Sequence, residues 1–228
     1  MVKLISGFKE QNICDPNYIK IAASIKAYGT GKPFCTAWRQ ESTIICRIDG
    51  NMTLFGDEFD ADEIKSFIGA VGAKTLTCSV SAAQRLGYDY KKYTVMKATR
   101  GVRTAADFSP SCDTVYEILR EGEDGSITLP DRVAFIADLS HRIRHGTAAV
   151  CVYKSAVCVM PYITDAGALI CGVATEKSGR GSGFAGICVA ALIDKVGLPS
   201  FVICEESLIP FYKKFGFSVW GENAEIIF

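Results

Sequence analysis

No two of the ten cysteines in this 228-residue chain stand in a C-x-x-C arrangement. They lie far apart, and at this length without a secretory segment a disulfide framework is not expected. Histidine is scarce, with two residues. They are His141 and His145, which lack an H-E-x-x-H frame and any third ligand close in sequence. Arg142 and Arg144 lie between them, so the expectation there is a solvated basic face. An excess of one charge is also missing: 25 Lys and Arg balance 25 Asp and Glu. A neutral chain lacks the broad basic footprint of a nucleic-acid binder. No apolar run reaches membrane-spanning length, and the longest, Phe184 to Leu192, reads as a buried helix. The apolar stretch at Met1 to Ile5 is too short for a signal peptide. No solenoid period is visible.

What is present is core-forming material. Hydrophobic residues make up 49% and charged residues 22%, a globular composition long enough for one large domain or two small ones. Cys46, Cys151, Cys158, Cys171, Cys188 and Cys204 sit inside apolar runs. Free cysteine buries like a small hydrophobe, so reduced core thiols in a cytoplasmic protein are expected.

Periodicity and punctuation place the elements. Asn17 to Tyr28 has Tyr18, Ile21, Ala22 and Ile25 at helical spacing and stops at Gly29. Strand-like runs follow at Phe34 to Trp38 and Ser42 to Ile48. Asp49-Gly50 signals a hairpin back into Asn51 to Phe55. Asp60 to Val71 is an amphipathic helix, and Thr75 to Val80 a strand. Tyr93 to Thr99 is a strand, Arg100 to Pro110 a connector, and Asp113 to Arg120 a helix. Glu121 to Gly125 reads as an exposed loop. Pro130 suits the first turn of a helix running to about His145. Three strands then come in succession: Ala148 to Tyr153, Ala156 to Pro161 and Ala168 to Val173. A helix runs to about Val196 and stops at Gly197 and Pro199. Phe201 to Cys204 is a strand. Ser207 is expected to cap the next helix, with Pro210 in its first turn and Gly216 at its end. Phe217 to Trp220 and Glu225 to Phe228 are terminal strands. Two weaker features read as surface: Trp38-Arg39-Gln40 as a half-buried hairpin aromatic or a pocket wall, and Lys213-Lys214 as a solvated pair near enough to the last helix to meet a phosphate.

The third strand of that succession leads into Glu176-Lys177-Ser178-Gly179-Arg180-Gly181-Ser182-Gly183-Phe184-Ala185. Glycine lets the backbone approach a ligand and take positive φ. Successive N–H groups and a helix N-terminus favour phosphate oxygens, and Arg180 adds a fixed positive charge. No G-K-[ST] follows, so this is not a P-loop. Gly181, Gly183 and Gly186 fit G-x-G-x-x-G, but a dinucleotide site needs an early βαβ unit, and here the strand is the last of three in a row.

The segment Val173 to Ala185 resembles the acetyl-coenzyme A motif of the GNAT-type N-acetyltransferases, [QR]-x-x-G-x-[GA], at Arg180, Gly183 and Ala185. A second signature of that family, F-Y-x-x-x-G-F, is met by Phe211, Tyr212, Gly216 and Phe217. The resemblance covers roughly residues 93–228. It implies an α/β (α+β) fold with a mixed sheet. It also implies a GNAT domain over residues 91–228 and a smaller, degenerate α+β half over 1–90 that packs on it and walls the acceptor site.

The resemblance also implies a reaction: an amine attacks the thioester of acetyl-coenzyme A directly, with no metal. Backbone groups of Val173 and Thr175 would pair with the pantetheine arm. The N–H groups of Gly181, Ser182, Gly183, Phe184 and Ala185 would hold the pyrophosphate. Tyr212 is the candidate acid for the departing thiolate, since a phenol of ordinary pKa about 10 is close to a thiol; packing with Leu208 and Phe215 is the competing role. The candidate base is Glu176, with Asp165, Glu117 and Glu205 as alternatives beside ordered water. Glu205 stands where the family often has Asn, and Ser178-Gly179 replace commoner acidic and aromatic residues. The expected partner is a small-molecule or peptide amine, without nucleic acid or membrane; a homodimer is left open. A non-catalytic acyl-coenzyme A sensor with the same fold is the competing function.

Overall fold

The computed structural model describes residues 1–122 and 129–228. The loop expected at Glu121 to Gly125 therefore falls partly outside the described residues. The first part of the chain runs β1 (Lys3–Leu4), α1 (Pro16–Tyr28), β2 (Gly31–Lys32), β3 (Cys35–Gln40), β4 (Thr43–Ile48), β5 (Asn51–Phe55), α2 (Ala61–Val71), β6 (Thr75–Ser79), α3 (Val80–Leu86) and β7 (Lys91–Ala98). Then come α4 (Cys112–Glu121), α5 (Arg132–Arg144), β8 (Ala149–Tyr153), β9 (Ala156–Met160), β10 (Tyr162–Ile163), β11 (Ala168–Ile170) and β12 (Gly172–Thr175). The chain closes with α6 (Phe184–Val196), β13 (Ser200–Cys204), α7 (Ile209–Lys213) and β14 (Ser218–Ile227).

Eleven strands form one mixed sheet along the path β1-β3-β4-β5-β6-β14-β7-β13-β11-β10, with β2 beside β3, and β12-β9-β8 form a second sheet. The middle of the large sheet is built by exchange. β14, last in the chain, lies between β6 and β7 and is antiparallel to both. β7, from the middle of the chain, lies between β14 and β13. On each side of that pair stands a parallel pair, β5 with β6 and β11 with β13. The orders β5-α2-β6-α3-β7 and β11/β12-α6-β13-α7-β14 thus repeat around the β14–β7 seam.

Helix α1 is buried nearly all round: Pro16 to Ile25, apart from Lys20, is buried, as is Ala27. An apolar helix without a polar face belongs inside a protein. It contacts β3, β4, β5 and β6 on one side and β10 and β11 on the other, so the sheet curls about it. The one-face pattern expected for this helix is therefore corrected: Ile19 packs with Val95, Leu169 and Phe201 on the side opposite the N-terminal strands. Helices α2 and α3 cover the other face of the N-terminal strands. Helices α4 and α5 cover one face of the small sheet, and α6 and α7 pack in the cluster on its other face.

The caps follow the residues. Asp60 accepts the Glu63 N–H at 3.0 Å to start α2, and Gly72 ends it at φ 65°. Four expectations are corrected. Ser79 caps a short α3 (Val80–Leu86) that begins at Val80, where the strand from Thr75 was expected to end. Pro130 precedes α5, whose cap is Asp131. Ser207 lies in a single 3-10 turn and makes no cap to α7. The two terminal strands are one, β14, which absorbs Gly221 by a register shift between Val219 and Gly221, the local irregularity of a bulge.

Gly186 is set by packing. A Cβ there would lie 1.9 Å from Cζ of Phe215, whose ring stacks edge-on to Phe211. A Gly186→Ala variant is expected to lose about 1–3 kcal/mol through overpacking. Chemical denaturation checks it, and adding Phe215→Leu should return part of the loss.

Candidate functional site

Two strands that begin as neighbours part company here. β11 pairs with β13 as far as Ile170 opposite Val202. Beyond that β13 stays with β7, to Cys204 opposite Thr94, while β12 leaves with β9. The turning point is a bulge. Cys171 N–H donates to Val159 O at 3.1 Å, and Gly172 is the register partner of the same Val159. Two residues opposing one bend a strand and re-aim its side chains. The result is a wedge between β12 and the end of β13.

Val173 and Thr175 sit on the free edge of that wedge. Glu176 N–H donates to Ser155 O at 2.9 Å. Alternation along an antiparallel strand then turns Ala174 toward β9 and Val173 and Thr175 away from it. Ala174 packs under α4, and Val173 lies against the α6 side.

The chain next forms a 3-10 turn over Lys177–Gly179 and enters α6. Gly181 (φ 80°) and Gly183 (φ 76°) are left-handed, and among the described residues a Cβ on either would meet nothing within 4 Å. Glycine is thus kept at both by backbone conformation, with room beside it. Gly183 is the N-cap of α6 and provides no side-chain cap. The first N–H groups of a helix have no partner within it, so those near Phe184 and Ala185 stay available to a ligand. Ser182 N–H reaches Gly179 O only at 3.4 Å. The matching loop of the N-terminal half differs: Asp60 already occupies the start of α2 with its own carboxylate.

The loop is braced from two sides. Arg180 is exposed, and its Nη2 donates to Gly122 O at 2.9 Å, tying the loop to the end of α4. Ser155, at the β8–β9 turn, lies so close that a Cβ on Gly179 would be 2.0 Å from its Oγ. Lys154 in that turn places Nζ 4.7 Å from the Phe184 ring. The sequence reading missed Lys154, because only the hairpin brings it to the loop; the tight turn at Lys154-Ser155 was the one available signal.

Tyr212 is 6% exposed in the cluster under the wedge. Its ring meets Phe211 and Phe217 edge-on. Burial pushes its phenol well above the ordinary range, with Cys158, Cys204 and Cys171 adding to the shift. Those thiols come from β9, β13 and the bulge, so Tyr212 lies beside the fork itself. Among the described residues none hydrogen-bonds its hydroxyl. A phenol held protonated there can donate to an atom in the wedge.

The carboxylates separate clearly. Glu205 pairs with Lys91 at 2.6 Å, Asp165 lies 3.7 Å from Lys26, and Glu117 pairs with Arg120 and Arg132, all on the exposed surface. Glu176, half-buried at the end of β12, has no ion pair among the described residues.

Other expectations resolve as packing. Trp38 stacks edge-on with Phe67 and lies under Arg47. Lys213 and Lys214 are exposed. His141 stacks on Tyr28, with Nε2 2.8 Å from Ala27 O. Arg142 corrects the solvated basic face: it is 2% exposed, lies between Tyr28 and Tyr162, and bonds Asp138 through Nε at 3.0 Å. Two aromatic faces and a carboxylate offset the cost of burying its charge.

No family model and no curated protein matches the sequence. Solved structures do match. A GCN5-related N-acetyltransferase from Kribbella flavida superposes with TM-score 0.66 at 11% identity, covering 92% of this chain and 93% of that one. The chain has the GNAT fold. A GNAT-family acetyltransferase from Colwellia psychrerythraea matches with TM-score 0.56 at 15% identity, over 100% of this chain and 99% of that one. A tandem GNAT protein from the clavulanic acid biosynthesis pathway matches with TM-score 0.56 at 10% identity, over 97% and 90%. These likenesses span both halves of the chain, and the fork between β12 and β13 lies within them. At such identities they establish the GNAT architecture, an α/β fold with a mixed sheet. Among the described residues no helix is long and apolar enough to cross a membrane.

Proposed function

We propose that this chain transfers an acetyl group from acetyl-coenzyme A to a primary amine. The observation that carries the reading is the wedge between β12 and β13 opening onto an uncapped helix N-terminus with two left-handed glycines. An extended amide-bearing arm fits a free strand edge, and a diphosphate fits converging N–H groups. Val173 and Thr175 hold the arm. Gly181, Ser182, Gly183, Phe184 and Ala185 hold the diphosphate, with Lys154 and Arg180 supplying positive charge. Acetyl-coenzyme A supplies the activated acetyl group.

Tyr212 gives its proton to the departing thiolate. Glu176, or water beside it, takes the proton that the amine loses. Residues 91–228 carry these groups, and residues 1–90 form the far wall of the acceptor side. Its free thiols suit a reducing, cytoplasmic setting.

The commitment of Glu205, Asp165 and Glu117 to surface ion pairs favours a second reading, an acyl-coenzyme A sensor without turnover. Tyr212→Phe separates the two. Removing a general acid is expected to lower kcat roughly 100-fold with coenzyme binding unchanged. Thioester consumption measured over a panel of amines checks this. Unaltered turnover removes Tyr212 from the mechanism, and no turnover by the wild type with intact coenzyme binding leaves the sensor.

A further inference from the structure

A cavity of about 560 Å³ lies between α1 and the strands that curl around it. That volume is in the range, roughly 300–1,000 Å³, of small-molecule sites. Lys20 and Ser24 line it from α1, Thr53 and Thr77 from β5 and β6, Glu225 from β14, and Tyr162 from the opposite side. It is separate from the phosphate loop, and no motif in the sequence marked it.

Cys171 connects the cavity to the fork. It is exposed and stands at the bulge where β12 leaves β13. Two residues before it, Leu169 pairs with Tyr162 of the lining and packs on Ile19, next to Lys20, while Ile170 faces the Tyr212 cluster on the other side of the sheet. An amine in the cavity would therefore approach the fork from the face opposite α6 and α7.

Lys20 is the unusual group. Its only hydrogen bond among the described residues is to Thr77 Oγ1 at 3.5 Å, and no carboxylate there lies within 4 Å of its Nζ. Burial lowers its pKa against the opposing pull of Glu225 nearby. Behind Tyr162 lies Arg142, paired with Asp138, and among the described residues its buried Nη1 has no hydrogen-bond partner. Among the described residues Glu225 is the one carboxylate in the lining, and one of its oxygens accepts from Tyr93 Oη at 3.0 Å.

Resting on the acetyltransferase reading, we propose that this cavity is the acceptor pocket and that it takes a compact amine carrying an acidic group, whose anion pairs with Lys20. Lys20 anchors the acid, the threonine hydroxyls and Tyr162 complete the polar lining, and Glu225 faces the amino end. A zwitterion satisfies both walls, whereas a polycation meets Lys20 with like charge.

The test uses the full chain and three sets of probes: the α-amino acids, O-phosphoethanolamine, and neutral amines matched to them in size. Calorimetry without coenzyme measures binding, and thioester consumption measures transfer. Anionic amines are expected to bind and react at least about tenfold better than their neutral counterparts. The amino acid and phosphoethanolamine arms tell carboxylate from phosphate. Lys20→Met should raise KM for anionic amines about tenfold or more, change KM for the neutral amines far less, and be largely rescued by Lys20→Arg. Equal use of neutral and anionic amines by the wild type overturns the proposal without any variant. Acetylation of Lys20 itself, seen by mass spectrometry of the protein after incubation with acetyl-coenzyme A, also overturns it. Lys20-dependent binding of anionic amines with no transfer to any amine supports the pocket and defeats the acetyltransferase reading instead.

Discussion

Gly183→Asp is expected to abolish coenzyme A binding while leaving the protein folded. The substitution puts a carboxylate at the N-cap of α6, where among the described residues a Cβ would meet nothing within 4 Å and φ is left-handed at 76°. Aspartate tolerates that conformation better than most residues, and its side chain can take up the free N–H groups. The same gain for the helix occupies the donors that a diphosphate needs. It also sets like charges side by side: at an effective dielectric of about 20 and a separation of about 5 Å they repel by roughly 3 kcal/mol. That corresponds to a loss of about two orders of magnitude in affinity. The thermal midpoint should move by only a few degrees, because strain and capping offset each other. Calorimetric titration with coenzyme A checks the result, and affinity within about threefold of wild type would contradict it. Asp60 at the start of α2 already shows this arrangement in the N-terminal half, so the variant makes the second half resemble the first.

The second large effect is on folding. Ala224→Pro is expected to destabilise the whole chain, not one half of it. Ala224 is 1% exposed in β14, between Cys78 of β6 and Lys92 of β7. Proline removes a ladder donor in the middle of a sheet and costs about 3 kcal/mol or more. For a chain of this size that lowers the midpoint by roughly 6–12 °C. Since β14 is the seam between the N-terminal strands and the rest of the sheet, both sides should melt together. The two tryptophans report on them separately: Trp38 packs against Phe67 in the N-terminal cluster, and Trp220 against Phe201. Their fluorescence and far-UV circular dichroism should give one coincident, lowered transition. A Trp38 transition unmoved from wild type would mean that the halves fold independently.

Much of this architecture was legible because local chemistry and global fold agree. Asp60 and Gly72 bracket α2, and Gly183 and Gly197 bracket α6, by rules that act within a few residues. The loop from Arg180 to Ala185 declared itself through glycine spacing after a strand. What stayed hidden depends on contacts distant in sequence. Helix α3 is seven residues long, too short for periodicity to reveal, and it is held by packing on β6 and β14. The single strand β14 looked like two because Gly221 and Glu222 interrupt its apolar pattern, yet the bulge after Val219 carries the chain through. The all-round burial of α1 follows from the curl of the sheet, which no window of sequence contains. Arg142 read as a solvated charge, since neither Tyr28 nor Tyr162 is near it in the chain. Lys20 had no sequence signal at all: it is one of two lysines in a mostly buried helix, and its meaning comes from Thr77 and Glu225 around it.

Exchange of β7 and β14 also bears on the site. The end of β13 forms one side of the wedge and is held by β7, a strand that reaches the N-terminal sheet only through β14. The fork is thus set in a frame drawn from both halves. Such a frame keeps the edge of β12 apart from β13 without relying on loops, which is what a site for an extended ligand requires.

The central claim is that the opening between β12 and β13 receives the pantetheine arm and that the start of α6 receives the diphosphate. A crystal structure with coenzyme A tests it most directly. The account predicts diphosphate oxygens within hydrogen-bond distance of the backbone N–H groups from Gly181 to Ala185, an arm paired to the edge of Val173 and Thr175, and sulfur near Tyr212 Oη. Coenzyme bound elsewhere on the molecule, or a wedge that stays empty at saturating coenzyme, would contradict it.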